Sequence, residues 1–390
     1  MKYAEITWPE VGVTVTAELD ERNADLAQGL WDALPYRSLQ GHALVAGHHL
    51  YHVAPIHSLL HLPAPYRVDR RTVPDGTVFC SRLQHLGIKY GELTEPMPAT
   101  PIGRVVPEDT DALVAAGHAV WDAVYTTKRP VIAEVRRKGE PGGHSLPRLH
   151  ASDPAVDGLI GDLHAETERI WLQAPPELVD LHEGRIPSRA GSFETVMTTL
   201  LFVNGETRPL GYSCYGGLVR AALDGMPLDS LRQMARLMAA TPAEFLGYCG
   251  LGTLWAFTRR VLDSLDRVGD HEDFVALMAH MALYVNCLGG WNLHLFPWQA
   301  GDHLRRVTDP LDATTATTAT TAAATATGGG GAEKPTKPTK PTKAGKSGRA
   351  GAGKPGRTGA GKAAGRAGAA HSPTTLPTSS PDDPIAREPA

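Results

Sequence analysis

Residues His85 to Glu92, in the run HLGIKYGELTEP, bring an imidazole, an amine, a phenol and a carboxylate together. These types cover the roles of general acid, general base and carboxylate holder. If the segment is a strand, His85, Gly87, Lys89 and Gly91 share one face. Glycines beside a lysine leave room for a ligand to approach the backbone. Lys89 could then receive a carboxylate, or act on a carbonyl once desolvated. The plainer alternative is an exposed hairpin with Lys89 and Glu92 paired. Residue types alone leave both open.

A second group is the histidine run His42, His48, His49, His52, His57 and His61. Neutral imidazole is a common transition-metal ligand. On a strand, however, His48 and His52 share a face and His49 points away. No His-Glu-x-x-His is present. Substrate-binding or packed histidines are expected first, with a metal-dependent enzyme built on residues 42–61 as an alternative. A third group lies near the end of the chain. Asn204 to Arg208 is expected between helices, Gly211 to Tyr215 opens the next one, and Trp291, His294 and Trp298 follow. Aromatics at such spacing usually form core. No Gly-x-Ser-x-Gly supports a serine nucleophile.

The elements that must carry these groups fall into two blocks. Through residue 142 the pattern is of short strands: Lys2–Trp8, a period-two run from Val11, Leu44–Val53, Thr77–Arg82, Gly87–Tyr90, Pro101–Val106 and Pro130–Arg136. Only Asn23–Leu34 and Asp109–Val124 have helical spacing there. This predicts a closed or nearly closed β-barrel over 1–142. No Gly-x-Gly-x-x-Gly follows a strand, so a nicotinamide site of the Rossmann type is unsupported. Over 151–305 helical spacing takes over and predicts a bundle. The predicted helices include Ala155–Trp171, Phe193–Val203, Tyr212–Leu223, Leu228–Met238, Pro242–Leu265 and Asp273–Leu288. Thr241 and Glu244 suggest a capping box between the fourth and fifth. The class is therefore α+β, a barrel followed by an all-α bundle.

The net charge of −4 conceals a split. The tail 311–390 holds 11 Lys+Arg and 5 Asp+Glu, or +6; the remaining 27 basic and 37 acidic residues give −10. An acidic body is a poor nucleic-acid binder. The tail has three large aliphatic residues, which predicts a disordered, basic, low-complexity segment. Four separated cysteines argue against a disulfide scaffold. No uninterrupted apolar run reaches membrane-span length, and MKYAEITWPE lacks a signal-peptide pattern. A cytoplasmic setting is expected.

The strand-rich half, with HLGIKYGELTEP, resembles the cyclophilin-like domains of a bacterial family. The second half, with NGETRPLGY and YVNCLGGWNLHLFPW, resembles the helical bundle that closes cucumopine synthase. The likeness spans about 1–305. It implies an opine synthase that condenses histidine with 2-oxoglutarate in a Pictet–Spengler-type reaction, with no cofactor and no metal. Small-molecule substrates and a homo-oligomer are the expected partners. For such chemistry Lys89, Tyr90, His85 and Glu92 are the catalytic candidates. Arg82 and Arg104 are candidates for holding carboxylates, and Tyr212, Tyr215 and His294 for lining the pocket from the bundle. A metabolite- or peptide-binding module without catalysis is the rival.

Overall fold

The computed structural model describes residues 1–186 and 196–301. The predicted tail and the start of the helix expected at Phe193 lie outside these residues. The first strands are β1 (Lys2–Trp8) and β2 (Val13–Leu19), followed by helix α1 (Ala24–Ala33). Strands β3 (Tyr36–His42), β4 (Gly47–Val53), the two-residue β5 (Val68–Asp69), β6 (Thr77–Ser81), β7 (His85–Leu93) and β8 (Pro98–Val105) come next. Helix α2 (Thr110–Asp122) and β9 (Ile132–Arg137) complete this half. All pairings are antiparallel, in the order β2-β1-β9-β3-β4-β7-β6-β8, and β8 returns to β2. The result is a closed eight-stranded barrel with β5 added on β8. Closure leaves no long edge among the eight.

Strand β3 was not among the predicted strands, and its burial explains why. Tyr36, Ser38, Gln40 and His42 are the buried residues of the strand, while Leu39 packs against the bundle core. Polar groups therefore occupy the positions where alternation predicts apolar ones. They are tolerated because they bond to one another. Trp8 Nε1 donates to Gln40 Oε1 at 2.9 Å, His52 Nδ1 lies 3.2 Å from the same oxygen, and Tyr36 Oη is 3.0 Å from His52 Nε2. Because Gln40 Nε2 donates to the Gly41 and Tyr51 carbonyls, its Oε1 is the acceptor. His52 then carries its proton on Nδ1 and accepts the Tyr36 hydroxyl at Nε2.

The helical half comprises α3 (Pro154–Trp171), α4 (Pro176–His182), α5 (Val196–Pro209), α6 (Gly216–Leu223), α7 (Leu228–Tyr248), α8 (Gly252–Ser264) and α9 (His271–Leu295). A wide π-helical turn, Leu210–Tyr215, joins α5 to α6. Two expectations change. Asn204 to Arg208 lies inside α5, not between helices. Helix α7 runs through Pro242 and ends near Cys249, so Thr241 caps nothing. The break falls at Gly250, whose φ of +122° is a conformation that side chains resist. Gly247 serves the close crossing that follows: an added Cβ would lie 2.6 Å from that of Trp255.

Helix α9 is long and apolar enough to cross a membrane by length and composition, but it is the bundle's central helix and almost wholly buried. Asp270 caps it by accepting from the Asp273 amide. Helices α3, α5 and α6 pack around it. Barrel and bundle meet through specific bonds. Trp171 Nε1 donates to the Arg37 carbonyl at 2.6 Å, Asn286 Nδ2 to Gln84 Oε1 at 2.8 Å, and Lys128 Nζ to the Phe296 carbonyl at 2.5 Å.

Candidate active site

Strand β7 divides the sequence-predicted residues between two faces. Leu86, Ile88 and Tyr90 point into the barrel core. His85, Gly87, Lys89 and Gly91 lie on the outward face, beside His49 and Tyr51 of β4 and Phe79 of β6. Tyr90 therefore does not share a face with His85 and Lys89. Its hydroxyl donates to His42 Nε2 at 2.6 Å, while His42 Nδ1 donates to the Ala43 carbonyl at 2.7 Å. That pair sits in a cavity of about 310 Å³ at the barrel mouth, with His48, Thr94, His118 and Trp121 around it. Burial pushes Tyr90 up to about 12 and His42 down to about 4.

On the outward face the glycine at 87 has a definite use. A Cβ there would lie 2.5 Å from His49 Nε2 and 2.8 Å from Phe79. Its absence lets the His49 ring lie across β7. Both His49 nitrogens are buried without a hydrogen-bond partner. Burial pushes this imidazole down to about 3, and the charges of Arg70, then His85 and His42, act in the same direction. Arg70 is 8 % exposed. Its guanidinium pairs with the Glu95 carboxylate, and its Nε donates to the Glu95 carbonyl at 3.2 Å. The Glu95 side chain is 43 % exposed. A buried cation is thus paired with a half-exposed carboxylate, and its charge acts on an unbonded neutral imidazole. That set can hold a substrate carboxylate, deliver a proton and take one back.

Lys89 has a different position from the one its type suggested. Its Nζ donates to the Val73 carbonyl at 2.6 Å and pairs with Asp75 at 3.1 Å. It pins the loop that follows Arg70 and is not free for amine chemistry. Its partner is Asp75, not Glu92; Glu92 is exposed near the end of β7. Arg104 is exposed and donates to the Asp75 carbonyl at 3.1 Å. From the bundle, Tyr212 reaches the site: its hydroxyl is 3.1 Å from His85 Nε2, and Arg208 lies over its ring. Tyr215 is buried inside the bundle with Thr258, and His294 donates to the Lys128 carbonyl. Neither joins this cluster. Arg82 stands on the β6–β7 turn, exposed.

The histidine run disperses. His52 belongs to the barrel network, His57 bonds the Pro147 carbonyl, and His42 bonds Tyr90. Among the described residues no three His, Cys, Asp or Glu side chains converge as a metal cage. Arg70 and Glu95 were missed as site residues. They are far apart in sequence, and only the closing of β8 and β5 over the sheet brings them together.

Burial also makes a prediction about pH. It pushes His42 and His57 to about 4, His49, His52 and His85 to about 3, and His280 to about 2. The unfolded chain binds these protons near pH 6.5, so it holds more protons than the fold below that point. Stability should be level above about pH 7.5 and fall as pH drops through 6.5. Denaturant unfolding at pH 7.5 and 5.0 is expected to show uptake of about four to six protons on unfolding at the lower pH. A free energy that stays level across this interval would remove the argument.

The architecture is an antiparallel barrel followed by a helical bundle. Residues 156–295 match the cucumopine synthase C-terminal helical bundle domain. Among solved structures, that of McbB in complex with tryptophan is 50% identical. Its TM-score is 0.76, over 77% of this chain and 99% of that one. No curated protein matches. The chain belongs to the cucumopine synthase-like family.

Proposed function

We propose that this protein is a Pictet–Spengler-type enzyme joining an amino acid with an electron-rich ring to an α-carbonyl acid. The carrying observation is the ion pair of the buried Arg70 with the half-exposed Glu95. Family membership, and tryptophan bound to McbB, support the reaction class and favour tryptophan over histidine as the amine. The substrate ammonium gives a proton to the Glu95 carboxylate and the freed amine adds to the carbonyl, its remaining excess proton passing to the new alkoxide; Glu95 then hands its proton to the departing hydroxyl, which leaves as water. The ring carbon attacks the iminium carbon. Glu95 takes the proton from that ring carbon, which restores the aromatic ring, and passes it to the product amine, which restores the carboxylate. Net change is one bond between carbons, one between carbon and nitrogen, and one water lost. Arg70 steadies Glu95 and holds the carboxylate of the carbonyl partner. Phe79, Tyr51, His85 and Tyr212 offer an aromatic wall to the ring.

The test is a mass-spectrometric assay of the full chain with tryptophan or histidine, each against a panel of α-keto acids and aldehydes that includes 2-oxoglutarate. A product at the summed mass less one water supports the proposal. Tryptophan binding without any product would favour the non-catalytic binding module. Turnover that survives Glu95→Gln but is lost in Tyr90→Phe would move the reaction to the mouth cavity.

Lys89 is then a positioning residue. Lys89→Met is expected to lower kcat/KM on the order of 10- to 100-fold, because Arg70 loses its anchored loop. Limited proteolysis should show faster cleavage within 70–76. Unchanged kcat/KM with unchanged cleavage would show that the loop holds itself.

A further inference from the structure

Tyr212 and His85 meet across the boundary between bundle and barrel. Their rings stand at 90° with centroids 5.4 Å apart, and the Tyr212 hydroxyl is 3.1 Å from His85 Nε2. Tyr212 belongs to the π-helical turn Leu210–Tyr215, a form of helix that is rare and frequently marks functional sites. His85 opens β7 directly after Gln84, whose φ of +58° is a conformation that side chains seldom adopt. Gln84 is fully buried, so its amide must find partners inside the protein.

A single side chain stands behind both residues. Asn286, on α9 and 2 % exposed, donates from Nδ2 to Gln84 Oε1 at 2.8 Å. Gln84 Nε2 donates to the Ile56 carbonyl at 3.5 Å, which leaves its Oε1 to accept. On the other side, Asn286 Oδ1 is buried without a hydrogen-bond partner and lies against Gly211, where a Cβ would collide with it. Gln84 immediately precedes His85, and Gly211 immediately precedes Tyr212. Asn286 thus touches the residue before each member of the pair.

Its neighbours on α9, Leu283, Val285, Cys287 and Leu288, are buried and carry no such amide. For packing alone, an apolar side chain of the same branched shape would avoid an unbonded buried oxygen. We propose that Asn286 is a positioning residue that brackets Gln84 and Gly211, and so fixes His85 and Tyr212 as the wall against which the ring of the amine substrate lies. The wall's role rests on the reaction proposed above; the bracket does not. The Trp171 bond to the Arg37 carbonyl also joins barrel to bundle, but it ends on β3, away from the pair.

Asn286→Leu keeps the branched shape and removes the donor. Nitrogen NMR of the full chain with labelled histidine reads the His85 ring, identified as the signal lost in His85→Gln. Tyr212→Phe gives its position when the bond to the hydroxyl is gone. In Asn286→Leu the His85 signal should move toward that position. The kcat/KM for tryptophan should fall about 10- to 100-fold, chiefly through KM. Gln84→Gly removes the acceptor, while glycine readily keeps the left-handed turn. It should reproduce both changes, and it carries the test if Asn286→Leu does not fold. A His85 signal that stays in place in the folded variants overturns the bracket. A shifted signal with unchanged KM overturns the pair's role as a wall. A parent protein without turnover would overturn the reaction instead, and the His85 shift would still decide the bracket.

Discussion

Glu95→Gln is expected to cut turnover by about 10²–10⁴-fold, the range for removal of a general acid–base group. Glutamine keeps the length and can still accept a bond from Arg70, but it neither gives nor takes the proton that the ring carbon must lose. Affinity for tryptophan should change far less than kcat. One secondary effect follows from burial: Arg70 is 8 % exposed, so loss of the opposing charge leaves it under-compensated. A modest fall in Tm should therefore accompany the loss of activity. Glu95→Asp should recover part of the rate. Single-turnover product formation, together with equilibrium binding of tryptophan, separates these effects. Equal turnover in Glu95→Gln and the parent would take Glu95 out of the mechanism.

The second large effect concerns stability. Trp171 is 2 % exposed, ends α3, packs in the bundle core and bonds the Arg37 carbonyl of β3. Trp171→Ala should cost about 3–5 kcal/mol, the range for truncating a buried large aromatic. Trp171→Phe keeps much of the volume but leaves the Arg37 carbonyl without its donor. It should cost about 1–3 kcal/mol. Urea unfolding of the three proteins gives both numbers. If Ala and Phe cost the same, the hydrogen bond and not packing sets the value of this contact.

These two residues show how unevenly the fold and site could be read from the chain. The barrel was legible because β1 and β2 alternate apolar and polar residues, and the bundle because α3 carries both a cap and an apolar stripe. The outward grouping of His85, Gly87 and Lys89 followed from strand geometry alone. The break between α7 and α8 was misplaced because Pro242 is a louder local signal than Gly250. The backbone's turn into positive φ nevertheless decides where a helix must stop. Glu95 lay inside the segment singled out for its chemistry, yet nothing local distinguished it from Glu92. The distinguishing feature is Arg70, contributed by a distant turn through the pairing of β5 with β8.

The hydrogen-bonded interior of β3 has a consequence for assembly. Trp8, Tyr36, Gln40 and His52 come from three different strands, and each bond requires its own alignment. A slip of one residue along β3 would turn its polar side chains outward and set Leu39 among donors that have nothing to bond. An apolar interior would accept several such alignments at similar energy. This one rejects them, so the polar row acts as a proofreading device that admits only the correctly threaded barrel.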